Sequence, residues 1–346
     1  MTRDESARNR IRNSLDESLI VEAAAGTGKT TELVRRIVNT LKTGRTSVDR
    51  IVAVTFTRKA AGELRLRLRI ELDTARTASD NPAEVLHLED ALARLEEARI
   101  GTIHSFCAEL LRQRPVEAKI PPGFEEMDEN QAPALYSRAF NSWIQTTLQA
   151  MPEGIKRALN RVSAGFDNES PLDQIRRVGW TLIEWRDFGC AWRRAEFDAR
   201  DDIERILPEI RELAKMTATC NVAGHPVRKH LQCVVDFITR IKRSEEVRPR
   251  DYDELEALLV QLARTLRRNS LKGSKKFSPG YSRDEILAAK DRLQSTLDHF
   301  VQHSEADLAA SLQADLQGLI EQYEILKARS GKLDFGDLLI RSRNLL

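Results

Sequence analysis

Lys29 and Thr30, an amine and a hydroxyl placed directly behind the small-residue run Ala23-Ala24-Ala25-Gly26-Thr27-Gly28, are the residues whose types and spacing most directly prescribe a chemistry. Small side chains let the backbone curl tightly and turn its N–H groups inward. A helix beginning near Lys29 adds its own unpaired N–H groups and the positive end of its dipole, so the turn becomes a concave anion site. In such a cradle Lys29 reaches the β- and γ-phosphates of a nucleotide and the Thr30 hydroxyl ligates Mg²⁺. Lys29 and Thr30 are therefore the candidate catalytic pair, and Ala23, Ala24, Ala25, Gly26, Thr27, Gly28, Lys29, Thr30 and Thr31 the candidate nucleotide-binding set. The usual pattern opens with Gly, and here Ala23 holds that place.

A phosphate loop needs a strand before it and a helix after it. Leu19-Ile20-Val21 reads as the buried strand, and Leu33, Val34, Ile37, Val38 and Leu41 recur at helical spacing. Residues 1–18 read as a short polar helix leading in. Gly44 to Asp49 is a turn, and Arg50 to Phe56 has the apolar centre of a second strand. Thr57 is placed to cap a helix that carries Ala60, Ala61, Leu64 and Leu68 inward and five basic residues around them. After a break at Ala78 to Pro82 and a further amphipathic helix, Arg99 to Ile103 reads as a third strand that hands directly to a helix. Strands alternating with helices predict a parallel sheet covered on both sides. Ligands of such sheets bind at the carboxyl ends of the strands, where the phosphate loop, Thr55 to Thr57 and Thr102 to Ser105 all fall.

The character changes at Pro115 to Pro133, which reads as an acidic, proline-containing linker. Beyond it, to about residue 328, the patterns are helical: Leu255, Leu258, Leu259, Leu262 and Leu266 form one stripe. Ile286, Ala289, Leu293 and Leu297 form another, opened by a capping box at Ser282 and Glu285. Between them Arg267 to Ser282 is a basic loop, read either as a solvated surface loop or as an element touching nucleic-acid phosphates. Trp143, Trp180, Trp185 and Trp192 are read mainly as core packing.

At 346 residues the chain has room for two domains, and 5% aromatic with 31% charged residues suits a helix-rich protein. A net charge of +2 is too small to argue for nucleic acid by itself, so any such surface must be local. Cys107, Cys190, Cys220 and Cys233 are too scattered for a metal cluster and read as reduced thiols. A polar amino terminus and the lack of a long apolar run predict a cytoplasmic protein without a membrane partner.

Ala23 to Thr30 (AAAGTGKT), Thr55 to Leu68 (TFTRKAAGELRLRL) and Gly101 to Arg112 (GTIHSFCAELLR) together resemble three successive motifs of the UvrD/Rep-type superfamily 1 DNA helicases. Leu333 to Leu339 (LDFGDLL) is similar to the segment preceding that family's Walker B motif, and the wording of the motifs looks closest to the RecB/AddA, exonuclease V-like branch. The resemblance implies an α/β fold: a RecA-like P-loop NTPase parallel sheet, here incomplete, with an inserted all-helical domain. Its parts would be a motor domain in residues 1–115, a 1B-like helical insertion in 116–328 and a return segment in 329–346. It implies an ATP- and Mg²⁺-dependent motor moving 3′ to 5′ on single-stranded DNA in repair, acting at single/double-strand junctions, with a possible second helicase–nuclease subunit. Thr55, Phe56, Thr57, Thr102, His104 and Ser105 would lie along the DNA track, Phe56 stacking on bases without reading them. Without the resemblance, Phe56 reads as a core residue and His104 as a satisfied polar one.

Two departures stand out. No Gln precedes Gln113, so the family's adenine-reading Gln is missing. No Asp-Glu-x-Gln-Asp segment occurs either, so the second Mg²⁺-organising carboxylate and the water-activating Glu are not in these residues. The expectation is an amino-terminal part of a longer helicase that binds nucleotide without turning it over. The alternatives are a non-hydrolysing DNA- or partner-binding module and another P-loop phosphotransferase.

Overall fold

The computed structural model describes residues 3–161, 169–192, 197–222, 224–267 and 277–346. It is a mostly helical α/β protein with a small parallel sheet, and it divides into two compact units, 1–127 with 331–346, and 128–330.

The first unit contains α1 (Arg3–Asn13), α2 (Lys29–Lys42), β1 (Val52–Thr55), α3 (Arg58–Thr77), α4 (Pro82–Ala93), β2 (Arg99–Thr102), α5 (Ile103–Gln113) and β3 (Glu125–Glu126). The pairing of β1 with β2 is parallel, in the register Val52 to Arg99 through Thr55 to Thr102. Alternation does the rest: Ala53 and Ile100 turn inward to a core made with Val34, Val38 and Leu41 of α2 and Leu64, Leu68 and Leu72 of α3. The other face of β1, Val52 and Val54, is exposed.

One expected strand is absent. Residues 19–21 have no ladder partner among the described residues, and Ile20 is fully exposed. An extended segment stays irregular where no neighbour takes up its N–H and C=O groups, and a run of three β-branched and leucine residues does not supply one. The polar helix before it does form, as α1.

The second unit is helical: α6 (Gln131–Ala150), α7 (Glu153–Asn160), α8 (Pro171–Glu184), α9 (Ala199–Ala218), α10 (Pro226–Glu245), α11 (Tyr252–Leu266), α12 (Arg283–Asp315) and α13 (Gln317–Ser330). Ser282 and Glu285 form the reciprocal capping box that opens α12. Both leucine stripes are core: Leu255, Leu259, Leu262, Leu266, Ile286, Leu293 and Leu297 pack in one cluster. Buried among these helices is a charged set. The Arg157 guanidinium donates two bonds of 2.9 Å to Glu256 and one of 2.6 Å to Asp307, while Arg161 donates to Glu256 and Ser304 at 2.6 Å. Residues 268–276 of the basic loop lie outside the described residues; of its ends, Arg267 pairs with Asp298 and Phe277 is buried. Trp143 and Trp180 are half-buried, but Trp185 and Trp192 are exposed, because both lie past the end of α8.

The chain then returns to the first unit as β4 (Lys332–Leu333) and α14 (Phe335–Leu345), with β4 parallel to β3. Residues 116–127, read from sequence as linker, are part of this packing: Ala118, Ile120 and Phe124 are buried with Leu333 and Leu338. Pro133 falls in the first turn of α6, where a missing N–H costs no intrahelical bond.

Candidate nucleotide and nucleic-acid site

The loop before α2 is shaped by two left-handed residues, Gly26 at φ 78° and Gly28 at φ 89°, a region in which a Cβ is strained. Thr27 Oγ1 donates to the Ala24 carbonyl at 2.8 Å and closes the turn. Lys29 Nζ folds back over it, donating to the carbonyls of Ala23 and Ala24 at 2.7 Å each. Residues 23–27, Lys29 and Thr30 are exposed, and Thr31 is half-buried. The predicted binding set thus forms one curled, solvent-facing turn at a helix start, with the ammonium and the hydroxyl on its rim. That donor set fits a magnesium-bound polyphosphate: Lys29 and the loop N–H groups would hold phosphate oxygens, and Thr30 the cation.

The turn is braced from α1. Arg8 donates to the Thr27 carbonyl at 3.0 Å and to Asp4 at 2.9 Å, and also pairs with Glu32 of α2. Arg12 holds both oxygens of the same carboxylate. Glu32 is buried, 4% exposed, and its carboxyl is held below the ordinary range, chiefly by the Arg12 hydrogen bond against the opposing effect of burial. Sequence reading missed this brace, because the partners stand 20 and 24 residues apart.

The six residues predicted for a nucleic-acid track gather at the carboxyl ends of β1 and β2. Thr55 and Thr102 are register partners, and Thr55 Oγ1 lies 3.4 Å from the Gly101 carbonyl and 3.0 Å from that of Thr57. Thr57 caps α3 by accepting from Ala60 N, and Thr102 caps α5 by accepting from Ser105 N, both at 3.1 Å. Two helix amino termini therefore open side by side with hydroxyls on their rims, an arrangement suited to phosphates. Phe56 between them is 95% exposed, which excludes the core role that its type alone suggests. His104 packs its ring against Phe335 of α14, with centroids 4.7 Å apart. Phe335 is a further residue of this edge; the LDFGDLL segment marked it without revealing its ring partner.

The model of the UvrD/REP helicase N-terminal domain matches residues 4–346. The chain belongs to the UvrD/REP helicase family. Its curated relatives include an ATP-dependent helicase/nuclease subunit from Enterococcus faecalis, 30% identical over 170 residues, 49% of this chain and 13% of that protein. The corresponding helicase/nuclease subunit from Desulfitobacterium hafniense is 42% identical over 123 residues, 35% of this chain and 9% of its own. The exonuclease/helicase subunit RexA of Lactococcus lactis is 35% identical over 182 residues, 51% of this chain and 15% of its own. This UvrD/REP chain thus spans at most about a seventh of the length of these relatives, all of the helicase–nuclease, RecB-like branch. Among its described residues no helix is long and apolar enough to cross a membrane.

Proposed function

We propose that this chain is the nucleotide- and DNA-binding amino-terminal part of an ATP-dependent DNA helicase of the helicase–nuclease type. Residues 1–127 and 331–346 form its motor domain and the helical region between is an insertion into it. The observation that carries this reading is the gathering of Thr55, Phe56, Thr57, Thr102, His104 and Ser105 at the carboxyl edge of one parallel strand pair. Chain connectivity adds to it: α2 runs from the phosphate loop back to β1 and shares a core with β1 and α3. The nucleotide cradle and the nucleic-acid edge then belong to one rigid layer, as a motor requires if hydrolysis at one is to move the other.

In the roles proposed, residues Ala23 to Thr31 hold ATP, Lys29 neutralises its terminal phosphates and Thr30 ligates Mg²⁺. The capped amino termini of α3 and α5 hold the DNA backbone, and Phe56, with His104 and Phe335, offers ring faces to unpaired bases. The exposed phenyl ring is the specific argument against a small-molecule kinase, which has no use for one there. The partners this reading assigns are single-stranded DNA, single/double-strand junctions and a second helicase–nuclease subunit, in keeping with the names of the relatives.

Equilibrium binding tests it. Lys29→Ala is expected to weaken magnesium–nucleotide binding about 10- to 100-fold, the worth of one charged hydrogen-bond donor. Phe56→Ala is expected to weaken salt-dependent binding of an oligothymidylate by about 1–3 kcal/mol, the worth of one stacked base. Wild-type affinities in both variants would overturn the reading. The 346 residues alone, lacking an Asp-Glu-x-Gln-Asp segment, should bind nucleotide without DNA-stimulated turnover.

A further inference from the structure

His299 and His303 serve neither the phosphate loop nor the strand edge nor the buried ion network. They stand four residues apart in the middle of α12, a spacing that stacks their side chains on one stripe of the helix. The neighbouring stripe, Phe300 and Ser304, is buried and pins that turn to the core. His299 itself is exposed and His303 half-buried, so the pair opens to solvent from a backbone held in place. Their rings lie with centroids 4.1 Å apart and planes at 54°. Among the described residues nothing hydrogen-bonds or ion-pairs with either imidazole, which leaves nitrogen lone pairs uncommitted on two adjacent rings.

We propose that His299 and His303 chelate one divalent transition-metal ion, copper(II) in preference to nickel(II) or zinc(II). Neutral imidazole is a ligand for all three, and a given nitrogen site holds copper most tightly. The spacing of the rings points the same way. An imidazole nitrogen stands about 1.1 Å from its ring centre and a metal about 2.0 Å beyond it, so two rings at a right angle about the metal have centres about 4.4 Å apart, and two at the tetrahedral angle about 5.1 Å. The observed 4.1 Å lies on the right-angled side, the arrangement of square-planar or tetragonal copper(II). Among the described residues no three or more His, Cys, Asp or Glu side chains converge as a metal-binding group. The chelate is therefore an open one, with two protein nitrogens and water in the remaining positions, unlike the closed tetrahedron of a structural zinc site.

The test is titration of the 346-residue chain with copper(II) alone, read by calorimetry for the number of ions and their affinity and by electron paramagnetic resonance for the nitrogens bound. It is run in a Cys190→Ser background, since that exposed thiol would compete for the ion. The parent chain should bind one copper more than the His299→Ala/His303→Ala double variant, and that ion's spectrum should carry two imidazole nitrogens. Either single variant should weaken this site by about tenfold or more, as loss of one of two ligands demands. His87→Ala removes a histidine whose ring meets the Lys42 carbonyl in the other unit, and should leave the site unchanged. His303→Ala combined with Glu305→His keeps the number of histidines but moves one to another face of α12, and should not restore binding. Thermal melting of each variant checks that it is folded.

Equal stoichiometry in the parent chain and the double variant would overturn the inference. So would either single variant that keeps the parent affinity, or a spectrum with one nitrogen. Recovery of the site by Glu305→His would overturn it as well, because scattered histidines rather than this stacked pair would then be capturing the ion.

Discussion

The two units treat charge in opposite ways. At the phosphate loop and the β1–β2 edge, the chemically capable groups face water: Lys29, Thr30, Phe56, Thr57 and Ser105 are all exposed. In the helical unit the most highly charged constellation is sealed: Arg157, Glu256 and Asp307 are each at most 4% exposed and satisfy one another across α7, α11 and α12. The contrast separates groups arranged for a ligand from groups arranged for one another. An exposed donor set gains from what it binds, whereas a sealed ion network turns its charges on one another and makes removal of any one member costly.

The sharpest way to break that comparison is to open the sealed set. Glu256→Ala leaves the Arg157 guanidinium without its bidentate partner in a site where burial acts against the charge and Glu256 and Asp307 outweigh it. The expected loss is about 3–5 kcal/mol, seen as a fall in melting temperature on the order of 10 °C. Arg157→Met combined with Glu256→Leu should not recover that loss, because Asp307 then loses its Arg157 bond and Arg161 its Glu256 bond, both within the buried set. A fall of less than about 2 °C for Glu256→Ala would place the network among surface pairs of little worth.

The first unit should behave in reverse, losing binding before stability. Phe56→Ala is expected to leave unfolding free energy within about 0.5 kcal/mol of the wild type, because the ring is already in water. Thr57→Ala removes the α3 cap and should cost about 1 kcal/mol, which Thr57→Ser restores. Urea unfolding reads both, and a Phe56→Ala loss above about 1 kcal/mol would return that ring to the core and remove it from the proposed track.

This same contrast explains what the sequence disclosed. The phosphate loop, the Thr57 and Thr102 caps and the Ser282–Glu285 box depend on spacings of a few residues, so residue types in order suffice to find them. The Arg157 network closes contacts between residues 99 and 150 apart, and the Arg8–Glu32 brace one of 24, where nothing periodic links the partners. Exposure was hidden in the same way. Leu19-Ile20-Val21 has the composition of a strand but no neighbour to pair with among the described residues, and Trp185 and Trp192 have core-like types on a segment that leaves the core. Conversely, Ala118, Ile120 and Phe124 are buried in a stretch whose prolines and acids advertise a linker, because β4 and α14 return to cover them.

Glu32 offers the finest discrimination, since it is a buried carboxylate inside the unit otherwise built of exposed groups. Its folded-state pKa lies below the ordinary glutamate value of 4.5, with the Arg12 hydrogen bond as the largest cause. A carboxyl depressed on folding contributes stability in full above its unfolded value and loses it as pH falls through the folded one. The brace between α1 and α2 should therefore be intact at neutral pH and weaken only below about pH 4.5. Because the three guanidiniums around Glu32 are each about one-third or more exposed, the effect is of the size of a partly solvated ion pair, about 1 kcal/mol or less. Glu32→Gln should flatten this part of the acid limb in a pH series of urea melts while leaving the slope near neutrality unchanged. An unchanged acid limb in that variant would mean that the arginines of α1 hold the loop through its carbonyls rather than through this carboxylate. Arg8 would then remain fixed by Thr27 and Asp4 alone.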